Sequence, residues 1–343
     1  MQGDLQPVIV GYGRAGRDLH HRALRPLLDP DDCVIVVDPR PVPAQPGIRR
    51  VATLDEAARA LHAMSVPMRR AVFHLTTPPA AHLAGVEQLV ALGARQVILE
   101  KPIATTVAEA RRIGDLSSEI AIMPVSVWLE SATTTVVERA VAAGEVGRVT
   151  TLHMEQSKPR FRRNLEATDA HTTPFDVELP HQMLLALHLA GADATVESAV
   201  RWPMSSCDQY GHVMGGAAVT LTHGSAVTST LLSDLTAPIR RRRLVVTGTH
   251  GQIVADYPLS SEDDYGQVRI RGRGDRQIVR DLPLSQFVRA AYDSRRGAGP
   301  PPRGDLGMHV RSIELLDRAR STAVTIPPHV TLPQLTEFAT WQG

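Results

Sequence analysis

Along the first 125 residues, short apolar runs alternate with longer segments whose apolar positions recur at helical spacing. The runs are 7–10, 33–37, 70–75, 96–99 and 120–127, each rich in Val and Ile and nearly continuous. A strand covered on both faces reads this way, because neither alternate set of side chains meets water. The intervening segments 15–28, 54–61, 80–92 and 107–116 predict helices, with Thr53 and Thr105 or Thr106 as N-caps and Gly93 as a C-cap. Strands alternating with helices predict an α/β, doubly wound Rossmann domain over residues 1–125.

After residue 125 the pattern changes. A helical stretch, 131–143, ends at Gly144, and a strand follows over 148–156. Beyond a loop rich in Arg, Thr and Pro, a second helix over 176–190 is closed by Gly191. Residues 195–278 read as many short strands, among them 217–222, 226–232, 244–247 and 252–255. A Pro-rich loop over 297–304 leads to a final helix over 306–320. Residues 126–343 are therefore expected to form an α+β domain on an open, mostly antiparallel sheet. A chain of 343 residues fits two such domains.

Bulk composition narrows the partners. A net charge of +1 gives no reason to expect nucleic acid or an anionic membrane. No apolar stretch approaches the roughly 18 residues of a membrane span, and residues 1–4 open no signal-peptide pattern. Cys33 and Cys207 are too few for a disulfide framework, so the cytoplasm is the expected compartment. His171, His181 and His188 lack the spacing of a metal site, and none is expected.

One imbalance points to chemistry. Of 37 basic residues only Lys101 and Lys158 are lysines. Arg stays protonated, whereas a Lys ammonium can exchange a proton, so a lysine surviving in an Arg-dominated chain is a candidate for a site where Arg fails. Lys101 follows directly on the predicted strand 96–99, in Glu100-Lys101-Pro102. Lys158 opens Lys158-Pro159-Arg160-Phe161-Arg162-Arg163, whose cations could clamp a phosphate or carboxylate or pair with a neighbouring subunit. The run Arg240 to Arg243 reads as a solvated strand end or subunit rim.

The first strand runs into Gly11-Tyr12-Gly13-Arg14-Ala15-Gly16 and then a helix, the context in which G-x-G-x-x-G carries meaning. Gly11 serves the tight turn, Gly13 the approach of a pyrophosphate, and Gly16 the close packing of helix on strand; the free N–H groups at the helix start favour phosphate. Asp38, 22 residues past Gly16 at the end of the second strand, can accept both adenosine ribose hydroxyls. That carboxylate favours NAD, while Arg40 and Arg14 could offset its repulsion of a 2′-phosphate and admit NADP. A flavin or bare nucleotide is the alternative occupant. Thr76-Thr77-Pro78-Pro79 follows the strand 71–75, and its Pro pair forces an extended turn beside the crevice, with His82 on the next helix.

With the Gly-rich turn, Thr77-Pro78-Pro79, His82 and Glu100-Lys101-Pro102 in this order and spacing, the chain resembles the Gfo/Idh/MocA oxidoreductases. Gly144-Glu145-Val146-Gly147 and Gly248-Thr249-His250-Gly251 look like the family's segments in the second domain. The resemblance implies reversible hydride transfer at a carbinol or carbonyl carbon of a sugar, sugar derivative or cyclitol, by a homodimer or homotetramer whose open sheet often forms subunit contacts. It implies Thr76, Thr77, Pro78, His82, Glu100 and Lys101 beside the cofactor, and Lys101 with His181 as the catalytic pair. The family's Asp four residues before the His is Val177 here. Glu178, three residues before His181 and so on the same helical face, is favoured as its substitute over Asp176, which could reach in if the helix begins late. Lys158 and Arg160 are the further candidates for substrate binding. A His with pKa near neutrality would exchange the hydroxyl proton while Lys101 steadies the developing alkoxide. A keto-sugar or imine reductase, and a non-catalytic dinucleotide sensor, are the alternatives.

Overall fold

The computed structural model describes residues 5–43, 45–161, 173–205, 210–260, 263–271 and 276–327. Residues 1–4, Arg162, Arg163, His171 and Cys207, considered above, lie outside them.

Six strands form the first sheet: β1 Gln6–Val10, β2 Val34–Val37, β3 Ile48–Val51, β4 Ala71–Leu75, β5 Gln96–Leu99 and β6 Ala121–Pro124. Their order is β3-β2-β1-β4-β5-β6 and every pairing is parallel. The alternation within β1 shows why the runs are continuous. Val8 and Val10 join the core under helices α2 (Leu54–Ala63), α3 (His82–Ala91) and α4 (Val107–Leu116), while Ile9 faces the opposite core. Thr53 and Thr106 cap α2 and α4, Thr106 in a capping box with Glu109. The edge strand β3 escaped the sequence reading because Ile48-Arg49-Arg50-Val51 exposes its two central arginines and shows no apolar run.

The opposite face holds a surprise. The first helix, α1, starts as a π-helix over Ala15–His21, continues as an α turn over Arg22–Leu24 and ends as a 3-10 turn over Arg25–Leu27. Beside it packs α7, Pro283–Arg295, whose Phe287, Val288, Ala291 and Tyr292 join Ile9, Val36, Val72 and Ile98. A helix from the C-terminal half thus completes the first layer. Its apolar residues fall at 284, 287, 288, 291 and 292, the i, i+3, i+4, i+7, i+8 spacing that could have revealed it.

The second sheet has nine strands in the order β14-β13-β12-β11-β7-β10-β9-β8-β15, with β13 over Tyr265–Ile270 and β14 over Arg276–Arg280. It is mostly antiparallel, with β7 (Val149–Ser157) parallel to β10 (Thr228–Asp234) and the short β15 (Val324–Thr325) parallel to β8. Two strands expected to be short are long: β8 covers Ala194–Ser205 and β9 Tyr210–His223. Helices α5 (Ala132–Ala142), α6 (Leu179–Ala190) and α8 (Leu306–Thr322) cover one face, where Leu152, Met154, Leu231, Leu244 and Val246 form the core with Met183 and Leu315. On the other face, β11 (Arg241–Gly248) pairs its Arg241 with Glu155 of β7, and its Arg243 with Asp256 of β12 (Gln252–Asp256). Arg242 therefore shares the helix-covered face with Leu244 and Val246. Among the described residues no helix is long and apolar enough to cross a membrane, and no group of three or more His, Cys, Asp or Glu could hold a metal ion.

Several histidines are sealed in the core. His309 on α8 is hydrogen-bonded to Ser126 (2.7 Å), and burial pushes its pKa down to about 3. An unfolded His takes a proton near pH 6.5 while this one refuses it, so its contribution to stability is complete above about pH 6.5 and is lost as pH falls toward the folded value. Between pH 7 and pH 5 this one group is expected to cost about 2 kcal/mol of unfolding free energy. Urea midpoints for the wild type and His309→Gln across that range test it. An unchanged pH slope in the variant would assign the acid sensitivity to other groups.

Candidate active site

The glycine turn is built as a cradle. Gly11 sits at φ +89°, a conformation costly for any side chain, and donates its N–H to Val37 C=O at 2.8 Å. A Cβ at Gly16 would lie 2.1 Å from the Gly11 carbonyl oxygen, so only glycine lets α1 approach β1 this closely. At Gly13 a Cβ would meet only the Arg40 guanidinium at 3.8 Å, which leaves the backbone open to a phosphate. Arg14 and Ala15 start α1 just beyond. Thr77 places its hydroxyl oxygen beside the turn, buried and without a hydrogen-bond partner among the described residues. Open backbone and an orphaned hydroxyl on one crevice fit a dinucleotide.

Asp38 closes the adenosine end. Its carboxylate accepts from the Tyr12 N–H (2.8 Å), the Arg40 N–H (2.9 Å) and the Arg40 guanidinium (3.2 and 3.3 Å). Burial pushes its pKa up, but the Arg40 bonds and charge outweigh this and hold it below the usual carboxylate range. Arg40 itself is 73 % exposed, a cation lying over the carboxylate at the surface.

Three residues expected at the cofactor are spent elsewhere. The Thr76 hydroxyl donates to the Gly11 carbonyl at 2.6 Å and braces the turn from below. His82 is fully buried with its ring nitrogens on the Ile103 and Thr77 carbonyls, at 3.2 and 2.9 Å. It therefore ties the Thr77-Pro78 turn to the loop after Lys101 and cannot touch a ligand. Glu100 accepts from the Lys101 N–H and from His20, both at 2.9 Å, and stands behind Lys101.

Glu100 also anchors a chain that nothing in the sequence singles out. His20 bonds His74 (2.9 Å), and His74 bonds Tyr292 on α7 (3.0 Å), with all three side chains fully buried. With Glu100 ionised and one proton on each ring, the direction is fixed. Tyr292 O–H donates to His74 Nε2, His74 Nδ1–H to His20 Nδ1, and His20 Nε2–H to Glu100. Burial, and then the neighbouring His20, push His74 well below its usual pKa. The π-helical stretch of α1 carries His20 into this core.

The catalytic candidates converge from both halves of the chain. Lys101 leaves the end of β5, and among the described residues its ammonium has no ion pair. His181 lies in the first turn of α6, with the Trp128 indole edge-on at 6.2 Å. Burial, then the positive charges of Lys101, Arg242 and Lys158, push His181 well below its usual pKa. The value expected near neutrality is thus corrected downward, because the site adds cations around a shielded ring. Lys101 also reaches Glu178 electrostatically.

The residues around the pair rearrange the expectation. Helix α6 begins late, at Leu179, behind a 3-10 turn over Pro174–Asp176. Asp176 does not reach in: its carboxylate accepts from Thr173 and binds Arg320 of α8 at 2.7 Å. Glu178 ends up at the N-cap, ion-paired with Lys158 rather than bonded to the imidazole. Burial lowers the Lys158 pKa and the Glu178 charge opposes it. Arg160 is buried nearby, its N–H donating to the Leu235 carbonyl. Trp128, not singled out from sequence, completes the wall with Arg242, which the run Arg240 to Arg243 had placed at a solvated strand end or rim but which is half-buried with its guanidinium 5.4 Å over the indole. Strand alternation was the signal that could have found Arg242, since it sends Arg242 away from Arg241 and Arg243.

A parallel sheet with a glycine cradle, beside a separate and mostly antiparallel sheet, is an α/β fold with a site suited to a dinucleotide. Residues 5–124 match the family described as "Oxidoreductase family, NAD-binding Rossmann fold". Over these residues the chain matches the NAD-binding domain of the Gfo/Idh/MocA oxidoreductases, and the protein is an enzyme that uses NAD or NADP. No curated protein matches the sequence. Among solved structures, the 3-ketoreductase KijD10 from Actinomadura kijaniata, with NADP and TDP-benzene, is 15% identical; the match covers 95% of this chain and 99% of that one at a TM-score of 0.71. The oxidoreductase TM0312 from Thermotoga maritima is 17% identical, with 93% and 97% covered and the same TM-score. At these identities the likeness is one of fold.

Proposed function

We propose that the protein reversibly moves a hydride between nicotinamide and a carbinol or carbonyl carbon of a sugar, sugar derivative or cyclitol. The observation that carries this reading is that Lys101, at the end of a strand of the sheet that bears the glycine turn, acts electrostatically on the buried His181 of the second half of the chain. Gly11, Gly13, Arg14, Ala15, Gly16 and Thr77 would hold the diphosphate by backbone N–H groups and the orphaned hydroxyl, and Asp38 the adenosine ribose. The dinucleotide supplies the hydride acceptor or donor. The chain's own residues manage the oxygen: His181 takes the hydroxyl proton, and Lys101 donates a hydrogen bond to the oxygen as charge builds. Glu178 holds Lys158 in the same wall. Reduction of a ketone is the reading that the likeness to a 3-ketoreductase favours, with His181 then returning the proton.

The test is titration with NADH and NADPH by nicotinamide fluorescence, joined to a panel of sugars, cyclitols and their keto forms read at 340 nm. Turnover of a panel member supports the proposal; failure to bind either dinucleotide defeats it. Because Arg40 covers Asp38, both cofactors are expected to bind within about tenfold of each other. Arg40→Ala should weaken NADPH by at least about tenfold and NADH by less than about threefold. Equal losses for the two would remove Arg40 from cofactor choice.

A further inference from the structure

A cavity of about 260 Å³ opens between the two halves of the chain, lined by Trp128, Arg242, Asp18, Arg22, Asp264 and Asp281 among others. Its charges do not cancel. Each of its carboxylates is already engaged: Asp18 by Arg17 at 2.8 Å, Asp264 by Arg280 at 2.9 Å, and Asp281 by the Ser131 and Thr133 hydroxyls at the start of α5. Its two cations are not. Arg242 donates to the Pro258 carbonyl at 2.8 Å, and neither it nor Arg22 has a carboxylate partner among the described residues. Glu178 acts on Arg242 only electrostatically, and its ion pair is with Lys158. A further observation is independent of charge. Trp128 is only 8% exposed, and its Nε1–H is buried with no acceptor. The cavity wall thus offers positive charge without a carboxylate to neutralise it, beside a buried indole N–H that lacks an acceptor.

We propose that the substrate carries an oxyanion, carboxylate or phosphoryl, and that Arg242 with Trp128 receives it in this cavity. The inference rests on the hydride-transfer reading of the site and names the substrate class. Trp128 joins the two parts: its indole borders the imidazole of His181 and lines the cavity. A substrate whose reacting carbon lies at Lys101 and His181 extends past the indole and places its charged group on the guanidinium. Planar, doubly donating Arg suits either oxyanion, and its aromatic stacking presents it at little cost in side-chain entropy. Bound charge would also offset the surplus of cations around His181, and so favour its protonated form.

The experiment uses the full chain with saturating NADH in two arms. In the first, matched sugars and ketoses are compared as neutral, carboxylate-bearing and phosphate-bearing forms, nucleotide-linked sugars included. The charged members are expected to exceed their neutral partners in kcat/KM by at least about thirtyfold. Arg242→Gln should cut that ratio by at least about tenfold. The order among uronates, sugar phosphates and nucleotide sugars then separates carboxylate from phosphoryl. In the second arm, tryptophan fluorescence is titrated with inorganic pyrophosphate and with glucuronate. A saturable change, lost in Arg242→Gln and in Trp128→Phe, supports the proposal even where no panel member turns over. Equal turnover of charged and neutral partners overturns it, as does an anion response unaltered by Arg242→Gln. NADH affinity weakened in parallel also overturns it, because the cavity would then serve the cofactor. Arg242→Lys, matched to the wild type by thermal melting, controls for folding. Absence of NADH binding by the wild type would instead defeat the oxidoreductase reading.

Discussion

Replacing Lys101 by methionine is expected to lower kcat by about a thousandfold, with NADH binding held within about threefold. The ammonium is the one cation that leaves β5 directly at the Thr77 crevice, and it makes no ion pair among the described residues. On the proposed function, that ammonium is kept for the reacting oxygen. A donor aimed at developing alkoxide charge is worth about 3–4 kcal/mol, and that loss appears in kcat because the ground-state carbinol needs the donor far less. Lys101→Arg is the sharper probe. It keeps the charge but replaces a compact head by a planar fork that cannot release a proton. It should recover at most about tenfold of the loss. Single-turnover rates at 340 nm measure this directly. An arginine variant with near-wild-type turnover would reduce Lys101 to a fixed positive charge.

His181→Asn should cost about a hundredfold to ten-thousandfold and, unlike a packing change, should alter the pH profile. The wild-type imidazole is held neutral well below its usual pKa, by burial first and then by Lys101, Arg242 and Lys158. In the oxidative direction the neutral ring is the active form, so kcat/KM should be flat at neutral pH and fall only as pH drops toward the lowered pKa. In the reductive direction the protonated ring is needed, so rates should climb as pH falls. His181→Asn should lose both dependences. A variant that slows the reaction and keeps the wild-type pH profile would show that another group carries the proton.

The two candidates were legible in different degrees. Lys101 stood out because nearly every other cation in the chain is arginine, and because a strand end places its residue at a crevice. His181 was reached only through family resemblance; nothing in its neighbours marks it, and Glu178 at three residues' distance suggested a contact that the fold does not make. The reason is local. Pro180 and the 3-10 turn over Pro174–Asp176 delay the helix, so Glu178 falls at the N-cap instead of on a helical face. Its carboxylate then meets Lys158, a partner 20 residues away in the chain.

The parallel sheet, the cradle of Gly11, Gly13 and Gly16, and the carboxylate at Asp38 were determined by the sequence alone. They depend on short-range rules: strand periodicity, helix caps, and the steric freedom of glycine beside a helix start. Tertiary structure alone decided that α7 covers the first sheet and that His20, His74 and Tyr292 form one chain behind Glu100. It also turned Asp176 to Arg320 and brought Arg242 onto Trp128 beside His181. Each of these joins residues far apart along the chain, and a side chain's partner at such distances is set by how whole layers pack.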